Sequence, residues 1–88
     1  MLYSREYRNA KETWDCYIMK MYEDRDGGDN LLIRYECGNS FAEWRLPDIT
    51  CEKSFGFSED DLFEMEDYLR NNEVIMWDMY REEVKTIA

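Results

Sequence analysis

The chain contains no histidine, one proline, four glycines and only 11 basic side chains among 88 residues. Without histidine the commonest general base, and the commonest activator of a nucleophilic Ser or Cys, is missing. No glycine-rich phosphate loop stands in its place. A glycosidase-like carboxylate pair would need a substrate cleft, which so short a chain scarcely encloses. The composition therefore points away from an enzyme. Cys16, Cys37 and Cys51 are odd in number and form no C-x-x-C, so neither a closed disulfide framework nor a four-ligand zinc site follows. They read as free thiols of a reducing cytosol, Cys16 and Cys37 buried and Cys51 reactive. No apolar run approaches the ~20 residues of a membrane span, and the first residues lack the apolar core of a signal peptide. The expected location is the cytoplasm.

What the chain has instead is acid. There are 21 Asp and Glu, for a formal net charge of −10. Such a surface repels a nucleic-acid backbone and an anionic membrane, so neither is expected as a direct partner. Apolar residues make up 44% of the chain and aromatics 16%, too much for a disordered acidic tail. A single domain over residues 1–88 is expected, without a cofactor.

Spacing suggests the elements. Tyr3, Tyr7, Ala10 and Trp14 follow a helical four-three-four rhythm, which predicts a short N-terminal helix over residues 3–12. Alternation then predicts three antiparallel strands: 13–22, the run from Leu31 to Cys37, and Phe41 to Leu46 ended by Pro47. Residues 49–54 read as either a fourth strand or an irregular link. Ser58 is a suitable N-cap for a helix over about 58–70. Asn71-Asn72 offers a stop and a fresh start, so a second helix over about 73–85 is expected. One unbroken helix of this span would measure about 42 Å, long for so small a domain. The fold class is α+β: a short N-terminal helix, a three-stranded antiparallel meander and two C-terminal helices.

Charge is uneven along the chain. Residues 58–88 hold ten acidic side chains against three basic ones. Asp60, Glu64 and Asp67 share one helical arc opposite Leu62, Met65 and Leu69, and Asp78 and Glu82 form an i,i+4 pair. Like charges at that spacing destabilise a helix by a few tenths of a kcal/mol, roughly, without an evident packing gain. From residue 59 to residue 67, six carboxylates fall within about 13 Å, where duplex DNA carries about eight phosphates. This density suggests charge mimicry, and the bland alternative is a solvated helix face that keeps a small protein soluble. The run from Asp24 to Asp29 lacks the glycine and the bidentate glutamate that a calcium loop needs at its sixth and twelfth positions. It reads as an acidic turn in which Asp24, Asp26 and Asp29 provide a second contact. Trp77, at the margin of the apolar arc, is a candidate anchor for a protein partner.

The order helix, three strands, helix, helix in a short acidic chain, with Asn30-Leu31-Leu32-Ile33-Arg34, Gly38-Asn39 and a late acidic section, resembles the small phage-encoded anti-CRISPR proteins that inhibit Cas9. The resemblance implies a non-catalytic inhibitor acting in the cytoplasm of an infected bacterial host. It would occupy the DNA-recognition surface of a Cas9-type nuclease, where arginines read the short duplex motif beside the target. The alternative is a regulatory or accessory interaction module, antitoxin-like or self-associating, whose acidity serves solubility and whose binding rests on aromatics such as Trp77. Oligomeric state is not legible in the sequence.

Overall fold

Period-two alternation along a strand sends successive side chains to opposite sheet faces. Trp14, Cys16 and Ile18, Leu31, Ile33 and Tyr35, and Ala42, Trp44 and Leu46 are all buried, whereas Asp15, Tyr17, Arg34, Glu43 and Arg45 between them keep partial exposure. A computed structural model of the chain, which describes residues 1–87 and the side chains of residues 1–84, places the buried set on one face of a sheet. Its strands are β1 (Leu2–Tyr7), β2 (Thr13–Glu23), β3 (Asp29–Cys37), β4 (Ser40–Leu46) and β5 (Thr50–Phe55), followed by one helix, α1 (Glu59–Ile87). The strands pair in chain order, each antiparallel to the next. Met65, Leu69 and Met76 of α1 pack on the apolar face and complete the core.

This is generic α+β character, but the expected architecture is corrected at three places. Residues 13–46 form only the three central strands of a five-stranded sheet, not the whole of it. The N-terminal helix is absent. Residues 3–12 are β1 and a hairpin turn, in which Asn9 Oδ1 accepts the N–H groups of Lys11 and Glu12 at 2.8 and 3.0 Å. That Asx turn reverses the chain. Tyr7, one of the four residues in the helical rhythm, is 76% exposed. Residues 50–55 are an edge strand, open to solvent along most of its length.

The third correction concerns α1, which runs unbroken for 29 residues. Its start was legible: Ser58 Oγ accepts the Asp61 N–H and the Asp61 carboxylate accepts the Ser58 N–H, both at 3.1 Å, a reciprocal capping box. No stop occurs at Asn71-Asn72. Asn72 Nδ2 donates to the Tyr68 carbonyl one turn back, and Asn72 Oδ1 accepts the Tyr3 hydroxyl, each at 2.8 Å. The amide that would have capped a helix end is committed to β1, and the helix continues. At 1.5 Å per residue the helix measures about 44 Å, longer than the roughly 36 Å over which the 11 residues of β2 extend.

Two local devices shape the face beneath the helix. A bulge between Ile18 and Lys20 shifts the register of β2, and the Met21 N–H then donates to the Tyr80 hydroxyl of α1 at 3.2 Å. After β5 the chain turns at Gly56, φ 84°, where a Cβ would collide with the Ser40 side chain. Among the described residues nothing covers the opposite sheet face. There Arg34 bridges Glu36 and Glu43 at 2.7 and 2.8 Å, and Arg45 bridges Asp48 and Glu52 at 2.7 and 3.2 Å. Arg34 lies 4.5 Å over the Phe41 ring, which stacks on exposed Phe55.

The Tyr3–Asn72 bond makes β1 and α1 one unit. Tyr3→Phe and Asn72→Ala should each lower unfolding free energy by about 1 kcal/mol, with a double-mutant coupling of about 1 kcal/mol. Urea denaturation of the four proteins measures this; additive effects would contradict the shared bond.

Candidate functional site

Continuity of α1 changes what its acidic residues can do. At 100° per residue, Asp60, Glu64, Asp67, Asp78 and Glu82 fall within about 60° of one another around the axis. All five are exposed. The sets expected on two separate helices therefore form one line, about 33 Å long at 1.5 Å per residue. Val74 and Ile75 straddle the line near its middle, 70% and 51% exposed. Phe63 is exposed near its start.

The line is less dense in free charge than its composition suggests. Asp61 is spent on the cap. Glu64 binds the Arg8 guanidinium through two bonds of 2.6 and 3.1 Å, which holds its carboxyl below the usual range. The same guanidinium lies 4.0 Å over the Trp14 ring, so Glu64, Arg8 and Trp14 form a clasp between α1 and the β1–β2 hairpin. Glu66 approaches Arg70 at 3.8 Å, and Asp78 meets Arg81 at 3.3 Å with both side chains well exposed. Such exposed contacts are weak. Asp60 and Asp67 have no ion pair among the described residues.

Three clefts flank the helix and gather most of the residues singled out from the sequence. Beside its N-terminal half, a cavity of 430 Å³ brings Glu64 and Asp67 together with Glu6, Trp14, Tyr35 and Tyr68. Farther along the same flank, a cleft of 530 Å³ takes in Asp78 and Glu82. On the opposite flank, 350 Å³ of space joins Trp77 to Asp29, Val74 and Arg81. Trp77 is half-buried against the core, with Arg81 5.6 Å from its ring. It lines a cleft wall. Asp60 borders none of the three.

The 24–29 turn also divides into different roles. Asp24 accepts the N–H groups of Asp26 and Gly28, each at 2.9 Å, and an Asn30 amide N–H at 3.2 Å. These bonds, chiefly the one from Gly28, hold its carboxyl below the ordinary value. Asp24 builds the turn, while Asp26 and Asp29 stay exposed at its surface. No group of three or more Cys, Asp or Glu among the described residues is arranged to hold a metal ion, and no described helix is long and apolar enough to cross a membrane.

Sequence reasoning missed the Arg8 clasp, which joins residues 56 positions apart and leaves no local spacing to read. It also missed the apolar residues beside the acidic line. Their signal was present, since Val74, Ile75 and Met79 do point away from the buried arc of a single helix.

All three cysteines are free, but only Cys16 is fully buried. Burial pushes its thiol up to about 12, whereas Cys37 and Cys51 are half-buried. Brief alkylation of the native protein at pH 8 should modify Cys37 and Cys51 and spare Cys16, as intact mass before and after unfolding will show. Asp24→Ala should lower Tm at neutral pH while Asp26→Ala leaves it unchanged. Because the native Asp24 carboxyl is depressed, its stabilisation is fully present above the unfolded-state value near pH 4 and fades as the pH falls through the native value. The Tm difference between wild type and Asp24→Ala should shrink in that acid window. The chain matches no protein-family model, no curated protein and no solved structure.

Proposed function

We propose that this chain is a non-catalytic acidic binding protein that occupies a basic surface of a DNA-handling protein and excludes DNA from it. A Cas9-type nuclease is the first target to test. The observation that carries the reading is the exposed line of Asp60, Glu64, Asp67, Asp78 and Glu82 on one uninterrupted helix, with Val74 and Ile75 at its middle. The likeness to small anti-CRISPR proteins rested partly on an element order that the fold replaces, so charge supports this reading and architecture does not. Density alone is insufficient. Over about 33 Å, duplex DNA presents roughly 19 phosphate charges, several times the number of carboxylates in the line. Competition would depend on placement: carboxylates against a few target arginines, and an apolar centre that DNA lacks.

A second reading is favoured by the uncovered sheet face, where Phe55 is 63% exposed and stacks on Phe41. Binding there would make the chain an accessory or self-associating module, with its acidity serving solubility.

Charge pairing of the first kind raises the on-rate and weakens with salt. Affinity for a candidate nuclease, with duplex DNA as competitor, should fall steeply between low and high salt. Asp60→Asn, Asp67→Asn and Asp78→Asn together should weaken binding about tenfold and flatten the salt slope. Binding insensitive to all three changes but lost in Phe55→Ser would transfer the case to the sheet face.

A further inference from the structure

Three wall residues of the cavity beside the N-terminal half of α1 already hold a cation. The Arg8 guanidinium lies 4.0 Å over the Trp14 ring, donates to Glu64 at 2.6 and 3.1 Å and reaches Glu6 at 3.1 Å. An aromatic face beside a carboxylate that accepts two bonds is the setting in which a guanidinium surpasses an ammonium. The cavity offers more of the same. Within its 430 Å³ the rings of Trp14, Tyr35 and Tyr68 meet the carboxylate of Asp67, which lies one helical turn from Glu64. The charges are countable. Its charged lining and the ion-pair partners of that lining comprise Glu6, Asp15, Glu64 and Asp67 against Arg5 and Arg8. Arg5 answers Asp15 and Arg8 answers Glu6 and Glu64. Asp67 is the one of these four carboxylates without an ion pair among the described residues.

We infer that this cavity takes the side chain of an arginine from a partner protein, its guanidinium paired with Asp67 and set against the aromatic walls beside Arg8. The inference rests on the reading that the chain binds a basic protein surface, and it names the side chain that enters and the place. The chemistry of the walls selects the occupant. An anionic ligand meets four carboxylates and only two guanidiniums, both already engaged. A neutral ring would leave Asp67 unanswered. A lysine could pair with Asp67, but its compact, strongly hydrated ammonium gains less from stacking on rings than a planar guanidinium does. Arginine uses both kinds of wall at once, as Arg8 does at Trp14 and Glu64. A second copy of the chain is disfavoured as the source, because each copy carries −10. A volume of 430 Å³ lies at the small end of binding pockets and suits one side chain.

The test titrates three small probes into labelled protein and follows NMR shifts: arginine, lysine and citrulline, each acetylated at the α-nitrogen and amidated at the carboxyl. Citrulline keeps the shape of arginine without its charge. The arginine probe should move the Trp14 indole N–H and the amides of Asp67 and Tyr68. The lysine probe should bind at least fivefold more weakly, and citrulline should not bind. Asp67→Asn should weaken the arginine probe at least fivefold, whereas Glu66→Gln, which removes the same charge from the neighbouring position outside the cavity, should not. Arg8→Gln releases Glu6, Glu64 and the Trp14 face, so it should tighten the arginine probe at least threefold. Arg70→Gln, the same change of charge on α1, should leave it unaltered. Circular dichroism checks each fold, and if Arg8→Gln unfolds, the citrulline and Asp67→Asn comparisons decide. Equal binding of the arginine and lysine probes, or no arginine binding, would overturn the inference. Shifts running along α1 to Asp60 and Asp78 without the Trp14 indole would overturn the cavity and leave the acidic line standing. Arginine binding lost in Asp67→Asn would support the cavity even if the candidate nuclease failed to bind.

Discussion

One helix has to cover a face of five strands and is too narrow to do so. Strands about 4.8 Å apart make this sheet about 19 Å from first axis to last, whereas a helix with its side chains is about 10–12 Å across. Leu69, Met65 and Met76 seal the middle, and the margins are left to whatever can reach them. Several of the chain's aromatic side chains help to close that shortfall. Tyr3 meets Tyr68 edge to face with ring centres 6.3 Å apart, and Trp14 meets Tyr35 and Phe57 at 6.2 and 5.4 Å. Arg8 stacks on Trp14 and ties off against Glu64. Even so the margins keep clefts along both halves of α1, one of them lined by Trp14, Tyr35 and Tyr68 themselves.

Legibility followed burial. The strands between Thr13 and Leu46 were visible because every second residue faces the helix and must be apolar. The edge strand β5 was ambiguous because only Cys51 of Thr50–Phe55 is drawn into the core, so polarity does not alternate along it. The N-terminal helix was a coincidence of spacing among Tyr3, Tyr7, Ala10 and Trp14. All four sit in a strand or a turn for separate reasons, and Asn9 supplies the reversal that a helical reading overlooked. Asn72 misled in the opposite direction. Its residue type suits a helix end, and only its distant partner Tyr3 shows why none forms there. Long-range partners of this kind leave no mark in a local window.

The candidate site was legible in charge and not in placement. Counting found Asp60, Glu64, Asp67, Asp78 and Glu82, but an assumed break at Asn71-Asn72 separated them into two groups. Counting also overvalued Glu64 and Asp24, whose charges are committed to Arg8 and to the 24–28 turn. Trp77, read from the margin of the arc as a candidate anchor, is half-buried against the core and lines a cleft with Asp29 and Val74.

The uncovered sheet face has a consequence for how the molecule moves. Its ion pairs answer much of its acid, with Arg5 on Asp15, Arg34 on two glutamates and Arg45 on Asp48 and Glu52, whereas residues 58–88 hold ten acidic side chains against three basic ones. The excess negative charge therefore lies off-centre, toward α1, and the molecule has a lopsided charge distribution as well as a net charge. In the field of a positively charged body such a particle feels a torque in addition to an attraction. It would turn its helix forward before touching, and the less charged sheet would trail behind.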